Sequence, residues 1–269
     1  MAAIDQQPIQ TFADRQTADS AITLPEALLA ESSQQPSWPQ DISISAFRKA
    51  WILQGEPLWL RVFETHREKM QIKNASAALA NLEKIFNCTF QLANSKGFQA
   101  MSLRDLSRET GISMGGLYAY IGSKDDLAAV IEGVLRQTID DVMADLEAQQ
   151  LDPVARVKAI IHADMYMNDT MHNWYYFCYL EAKGLSREQR DAAIGLESKF
   201  HSRLVATFED GIAAGIFHCK DVDLLAIQVV ALLQQWYLKR WKFQQLQINI
   251  ETYISYLVET TLKGLAYRA

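Results

Sequence analysis

Three closely spaced helix starts between Ser102 and Ser123 constrain the fold of this chain more than any other feature. Ser102 is followed three residues later by Asp105, and Ser123 by Asp126, which is an acidic form of the capping box. Ser113 offers a third N-cap between them. Two short helices joined by a tight turn form a helix-turn-helix, whose second helix can enter the major groove of DNA.

Apolar residues around this motif predict the small core that holds the helices together. Gly111 stands where the first short helix must end and the chain must turn. An amphipathic helix comes before the motif and is predicted to end at Gly97. Its apolar face comprises Leu82, Ile85, Phe86, Thr89, Leu92 and Ala93, and the apolar residues of the motif are Leu103, Leu106, Ile112, Leu117 and Ile121.

The ordered residues of this segment resemble the signature of the TetR family of bacterial repressors. The matching pieces are GF at 97–98, SLRDLS at 102–107, GIS at 111–113, LYAYI at 117–121 and SKDDL at 123–127. The chain departs from that signature with Ile121 where phenylalanine is usual and with Gly116 where threonine is common. The recognisable signature covers residues 82–127. The resemblance implies a homodimer that binds double-stranded operator DNA.

The resemblance also implies roles for individual residues of the motif. Tyr118 and Tyr120 would project from the recognition helix toward phosphates and bases, and Lys124 would clamp a phosphate. Helix N-termini attract phosphate, which favours contacts with the DNA backbone or close approach to it near the two helix starts. The residues expected there are Ser102, Arg104, Ser113, Met114 and Gly115. The alternatives are a core role for Tyr118 and ordinary solvated surface positions for Arg104 and Lys124.

The charge distribution along the chain is compatible with DNA binding by this segment. The whole chain has a formal net charge of −6. Residues 61–127 carry nine basic and seven acidic side chains, and the segments on either side are negative. Because a local patch sets the attraction for phosphate, the negative total does not exclude a DNA-binding protein.

Composition divides the chain into four predicted parts. Residues 1–40 are rich in Gln, Ser, Ala and Asp and are predicted to be a disordered tail. Residues 41–75 form a helical N-terminal extension, with a first helix from Ser43 to Leu53 and a second starting at Pro57. Its large apolar side chains need a surface to cover, either on this subunit or its partner, or as an accessory contact to DNA or protein. The helix-turn-helix DNA-binding domain then spans 76–127.

The remaining residues, 128–269, are expected to form a regulatory domain for ligand binding and dimerisation. Helices are predicted at 123–149, near 154–168, 170–183, 186–214 and 221–243, and at 250–266, so the fold class is all-α. The last two helices are predicted to build a four-helix dimer interface with their partners. The apolar stripe expected there is Ile250, Tyr253, Ile254, Leu257, Val258, Thr261, Leu262 and Leu265.

Residues 165–181 are dense in aromatic side chains and methionine, which is typical of a ligand pocket but also of plain core. We expect an apolar effector between this segment and the helix that begins at Ser123. The residues expected near it are Trp174, Tyr176 and Trp241, with Arg240 as an anchor for an anionic group. The pairing of YLEAKGL at 179–185 with LKRWKF at 238–243 resembles a TetR subgroup associated with fatty-acyl or steroid catabolism, some members of which sense acyl-CoA thioesters. This resemblance implies an acyl-CoA effector that releases the operator.

Competing functions have less support in the sequence. A helical enzyme or metal protein would need grouped ligands, whereas the five histidines are scattered and no HExxH motif is present. No cofactor, metal site or catalytic residue is therefore expected. A helical interaction module and a non-repressing activator with the same DNA-binding domain remain alternatives. Three unpaired cysteines, no signal peptide and no membrane span predict a cytoplasmic protein.

Overall fold

A computed structural model describes residues 37–72, 75–181 and 187–267, and within these ranges the chain is helical without strands. The described residues form twelve α-helices: α1 (Ile44–Ala50), α2 (Gly55–His66), α3 (Ala75–Lys96), α4 (Leu103–Thr110), α5 (Met114–Tyr118), α6 (Lys124–Ala148), α7 (Pro153–Thr170), α8 (His172–Glu181), α9 (Arg187–Ala213), α10 (Val222–Leu238), α11 (Arg240–Gln245) and α12 (Ile250–Gly264).

The predicted helix starts of the motif are confirmed. The Ser102 side chain accepts a hydrogen bond from the backbone of Asp105, whose carboxylate accepts one from the backbone of Ser102. Ser113 caps α5 and Ser123 caps α6 through their side chains, which accept from the backbone of Gly116 and Asp126, but the reciprocal bond of the capping box predicted at Ser123 is replaced by one from the Ser123 hydroxyl to the Asp126 carboxylate. Gly111 ends α4 with φ of 70°, a left-handed conformation that glycine adopts at less cost than residues with a side chain. Local capping therefore sets the boundaries of α4, α5 and α6.

The N-terminal extension packs on its own subunit. In α2, Trp59 lies with its ring centroid 5.6 Å from that of Phe86 in α3 and 6.0 Å from that of Trp174 in α8. In α1, Phe47 contacts Tyr166 of α7, with centroids 5.5 Å apart. The extension thus bridges the helix-turn-helix domain and the regulatory helices.

Three predicted boundaries need correction. Trp38, assigned above to the tail, is buried against Phe47, so the folded part begins before residue 41. Residues 1–36 of that tail lie outside the described residues. Helix α2 starts at Gly55 because Pro57 is tolerated in a first turn. The predicted helix 221–243 ends at Leu238, where a turn folds Phe243 back onto Trp236 at 5.0 Å between centroids.

The stripe expected at the dimer interface packs mainly within the subunit. Leu257 is only 1% exposed, and Ile254 and Thr261 are also buried, because α12 lies against α7 and α10. The large apolar side chains of α10 and α12 that are exposed in the subunit are Leu224, Ile227 and Tyr256. A charge at Leu257 would therefore disturb the subunit core before it reached any interface.

The extension's role in the core is testable at two neighbouring residues of α2. We expect Trp59→Ala to lower the free energy of unfolding by about 3–5 kcal/mol, because it removes a large buried ring. Leu60→Ala is the matched control, since Leu60 is exposed and its loss should cost less than about 0.5 kcal/mol. Urea denaturation followed by circular dichroism measures both. Equal effects would show that the extension does not belong to the core.

Candidate DNA-reading surface and regulatory cavity

The outer face of α4 and α5 presents most of the residues expected to contact DNA. Arg104, Ser113 and Gly115 are exposed, and Tyr118 is 51% exposed although it follows directly after buried Leu117. Ser102 is exposed at the start of α4, and Met114 is half-buried. These side chains lie on or beside two consecutive short helices, as a helix-turn-helix requires.

The structure places Tyr120 in the core, whereas the sequence predicted that it projects toward the DNA. It is only 7% exposed, and its hydroxyl accepts a hydrogen bond of 2.8 Å from Nδ2 of Asn81 in α3. The ring therefore lies in the core of the domain and does not project toward bases. The chain turns inward after α5, where the backbone N–H of Gln71 donates to the carbonyl of Ala119 at 2.9 Å. This contact joins the end of the extension to the end of the recognition helix.

The basic residues around the motif differ in whether they already form ion pairs within the protein. Lys96 and Arg108 both pair with Asp105. The hydrogen bonds from Lys96 and Ser102 hold the pKa of Asp105 well below its usual range. Arg104 makes no ion pair with any residue that the structure describes. Among these basic residues, Arg104 is thus the guanidinium available to a phosphate.

Lys124 has intramolecular contacts of its own. Its Nζ donates to the carbonyl of Gln99 at 3.0 Å and lies 4.9 Å from the centre of the Phe98 ring. Partial burial lowers the pKa of the Lys124 ammonium. An ammonium has three donors, so the contact with Gln99 positions the group and leaves donors for a phosphate.

Gly116, the departure from the family pattern, is explained by crowding inside the motif. A Cβ at this position would lie 2.9 Å from Cγ2 of Ile112 and 3.3 Å from Oγ of Ser113. A threonine here would require Ile112 to shift. At the neighbouring Gly115 a Cβ would meet nothing within 4 Å, so the backbone there is open to a close partner.

A cavity of about 230 Å³ lies in the regulatory half, between α6 and the segment 165–181 as well as α9 and α10. Its polar and aromatic lining residues are Glu132 from α6, Asp164 and Asn168 from α7, Tyr175 and Tyr179 from α8, Glu197 from α9, and Gln234 and Tyr237 from α10. A larger groove of about 970 Å³ runs beside Leu151 and Gly215, but no residue of α6 or α8 lines it. The smaller cavity therefore touches the helix that follows the DNA-reading motif.

None of the four residues expected at the ligand lines this cavity. Trp174 is buried on the opposite face of α8, between Trp59, Phe86 and Phe90. Tyr176 stacks on His172, with ring centroids 5.8 Å apart.

The two residues from the later helices also lie elsewhere. Arg240 donates to Asp169 at 3.0 Å, and Trp241 is largely exposed. The cavity lies between the segments named in that expectation, but the residues of α8 that line it are Tyr175 and Tyr179, because an aromatic run does not reveal which side its neighbours cover.

Asp164 and Asn168 line the cavity, although the sequence did not predict a site role for either residue. Asp164 is buried, and burial raises the pKa of its carboxyl group to about 7. Nδ2 of Asn168, one helical turn later, donates to Asp164 Oδ2 at 2.6 Å. A polar pair spaced i, i+4 within the apolar run of α7 was the signal that would have found them.

The structure describes no group of three His, Cys, Asp or Glu side chains arranged to hold a metal ion. No helix in the described ranges is long and apolar enough to cross a membrane.

An exposed helix-turn-helix joined to a helical regulatory half defines a DNA-binding transcriptional regulator. Comparison with known proteins gives the same class. The family model for bacterial regulatory proteins of the tetR family matches residues 85–131, and the model for the tetracyclin repressor-like C-terminal domain matches residues 150–248. Together the two matches cover more than half of the chain. The chain belongs to the TetR family.

Individual relatives support this assignment. The HTH-type transcriptional repressor KstR2 of Rhodococcus jostii is 24% identical over 175 residues, which are 64% of this chain and 84% of KstR2. A bacterial regulatory protein in the tetR family from Rhodococcus RHA1 shares the fold with a TM-score of 0.60 at 18% identity, covering 70% of this chain and 98% of that one. The regulator FadR of Bacillus subtilis, solved in complex with stearoyl-CoA, has a TM-score of 0.53 at 16% identity, over 68% and 98% of the two chains.

The buried carboxyl group predicts an unusual pH dependence of stability. The folded-state pKa of Asp164 lies above the unfolded value near 3.8, so ionised Asp164 destabilises the fold progressively as the pH rises from about 4 to about 7. We therefore expect Asp164→Asn to raise the melting temperature, and to raise it more at pH 8 than at pH 5. Thermal unfolding at both values measures this. Exposed Asp191→Asn is the control, and an equal shift at the two pH values would contradict the buried charge.

Proposed function

We propose that this protein is a homodimeric repressor that releases its operator when a small molecule fills the cavity beside α6 and α8. The observation that carries the proposal is the position of the cavity. Its lining includes α6, which begins at Lys124 directly after the recognition helix, and α8, whose other face packs on α3. A ligand there contacts two of the connections between the regulatory helices and the DNA-reading domain; the third is the N-terminal extension.

The proposed DNA contacts follow from exposure. Arg104, Tyr118 and the backbone around Gly115 would meet the DNA, with Ser102, Ser113, Met114 and Lys124 at the edges of the same surface. Tyr120 supports this surface from below through Asn81. Phosphate contacts would position the protein, and Met114 and Tyr118 are the side chains placed to reach base edges.

The effector would act by differential affinity. A ligand can shift the DNA-bound population only as far as it binds the two conformations with different free energies. Filling the cavity would push α8 or α6 away from its position. Because Trp174 is tightly packed against α3, that displacement would move the recognition helix.

The acyl-CoA effector expected from the sequence now has less support. Arg240, expected to anchor the anionic group of such an effector, is paired with Asp169 outside the cavity. The described lining residues include no lysine or arginine. Stearoyl-CoA is bound by the FadR structure, with which this chain shares the fold at 16% identity. We therefore propose a small, largely apolar effector and use acyl-CoA as a comparison in the tests below.

The dimer would form through the outer face of α10 and α12. Leu224 is 64% exposed and Ile227 is 54% exposed, one turn apart on α10, with Tyr256 exposed on neighbouring α12. A two-fold operator needs a two-fold protein, and this apolar face is available for the same face of a second copy.

The DNA-reading role is tested by replacing one exposed arginine. We expect Arg104→Ala to weaken binding to operator and random DNA alike, and to reduce the slope of log K against log salt by about one. Electrophoretic shift or fluorescence anisotropy at several salt concentrations measures both quantities. Arg187→Ala, which removes an exposed arginine of α9, is the control. An unchanged slope for Arg104→Ala would exclude its phosphate contact.

The interface is tested at Ile227. Since this side chain is exposed in the subunit, Ile227→Asp should leave the fold intact while it buries a charge in the dimer, which is costly. We expect sedimentation velocity to show a folded monomer. Ile52→Asp, at a similarly exposed position of the extension, should remain dimeric. A dimer of unchanged strength for Ile227→Asp would place the interface elsewhere.

A further inference from the structure

We propose that the 230 Å³ cavity binds a small organic cation with an apolar body, and that this cation is the effector. This inference rests on the proposed function for its regulatory consequence, but the binding itself follows from the lining of the cavity. Three features of that lining lead to it: a wall of hydrogen-bond acceptors, an excess of carboxyl groups, and a set of tyrosine rings.

The acceptor wall is formed by the polar pair of α7. Nδ2 of Asn168 donates a hydrogen bond to Asp164, and Oδ1 of Asn168 takes no part in this contact. That oxygen is buried and has no hydrogen-bond partner among the described residues. An unsatisfied buried acceptor costs free energy unless a ligand or water donates to it. The site therefore requires a donor, and a protonated amine or a polarised C–H of a quaternary ammonium supplies one.

The carboxyl groups of the cavity lining also favour a cationic ligand. Besides Asp164, the lining contains Glu132 and Glu197. Glu132 forms an ion pair with Arg136, with 3.2 Å between Glu132 Oε1 and Arg136 Nε. Within the described part of the chain, Glu197 accepts a hydrogen bond from the neutral amide of Gln234, at 3.1 Å, and forms no ion pair. Asp164 and Glu197 are thus without a cationic partner among the residues described. Glu197 is exposed at the edge of the cavity, whereas Asp164 is buried, and a buried carboxylate gains most from a paired cation.

The tyrosines complete the site. The rings of Tyr175 and Tyr237 lie 5.6 Å apart, and those of Tyr179 and Tyr237 lie 6.0 Å apart. All three side chains line the cavity. Aromatic faces attract ammonium groups through the ring quadrupole, and clustered rings of this kind hold quaternary ammonium ligands.

The size of the cavity limits the ligand. Its volume of about 230 Å³ equals that of roughly eight water molecules at ~30 Å³ each. Drug-sized ligands occupy pockets of about 300–1,000 Å³. A small ammonium compound fits this space, whereas a long acyl chain would need the cavity to expand, and the phosphates of coenzyme A would meet carboxyl groups.

The experiment compares cations with neutral molecules of the same shape, using the full-length protein. Choline is paired with 3,3-dimethylbutan-1-ol, and n-hexylammonium with 1-hexanol, with octanoyl-CoA as the anionic comparison. We expect at least one cation to bind about 30-fold or more tightly than its neutral counterpart, the lower end of the loss when one partner of a buried charge pair is removed. Isothermal titration measures the dissociation constants, and thermal shift confirms binding.

Variants separate charge recognition from shape. Asp164→Asn keeps the size of the side chain and should abolish the preference for the cation, and Glu197→Gln should reduce it. Asp191→Asn, on the exposed part of α9, should leave it unchanged. Equal binding of each cation and its neutral counterpart, or an undiminished preference in Asp164→Asn, would overturn the inference.

Operator binding in the presence of each compound distinguishes this inference from the proposed function. If a cation binds through Asp164 but leaves operator affinity unchanged, the cation site stands and the release mechanism fails. If octanoyl-CoA releases the operator while no cation binds better than its neutral counterpart, the release mechanism stands and the cation site is overturned.

Discussion

The packing of Trp174 against the DNA-reading domain is the contact on which the rest of this architecture depends. Its ring stacks on Phe86 with centroids 5.4 Å apart and meets Phe90 at 5.3 Å. Trp59 of the extension closes the cluster at 6.0 Å. Aromatic pairs contribute about 0.5–1.5 kcal/mol each beyond the area they bury. The cluster joins three parts of the chain, so none can shift without repacking the others.

This arrangement explains how α8 can connect two sites. One face of the helix carries Trp174 and Phe177 against the DNA-reading domain, where Phe177 meets Phe98 at 4.9 Å. The other face carries Tyr175 and Tyr179 into the cavity. A helix of ten residues is too short to absorb a displacement on one face without moving the other. Under the proposed function, the effector would lie on the cavity side of α8, next to the carboxyl groups that α6, α7 and α9 contribute to the lining.

Sequence reasoning succeeded where local chemistry decides the structure. Serine caps and Gly111 place α4, α5 and α6 because their hydrogen bonds lie within a few residues. It failed where distant neighbours decide which face is covered. Leu257 and Ile254 form an apolar stripe, but α7 of the same subunit covers it. Tyr120 follows a family pattern, yet the chain turns inward after α5 and the Tyr120 hydroxyl accepts a hydrogen bond from Asn81. Periodicity identifies a buried face without identifying what buries it.

Rigid attachment of the DNA-reading domain is the central claim, and the spacing of operator half-sites tests it most directly. Two recognition helices held firmly on a dimer would require half-sites one DNA turn, or roughly 34–36 Å, apart. Inserting five base pairs turns one half-site by about half a turn. The account predicts that this insertion weakens operator binding by about 100-fold, toward the affinity for random DNA. A loss of less than about threefold would show flexibly tethered domains and would contradict the account.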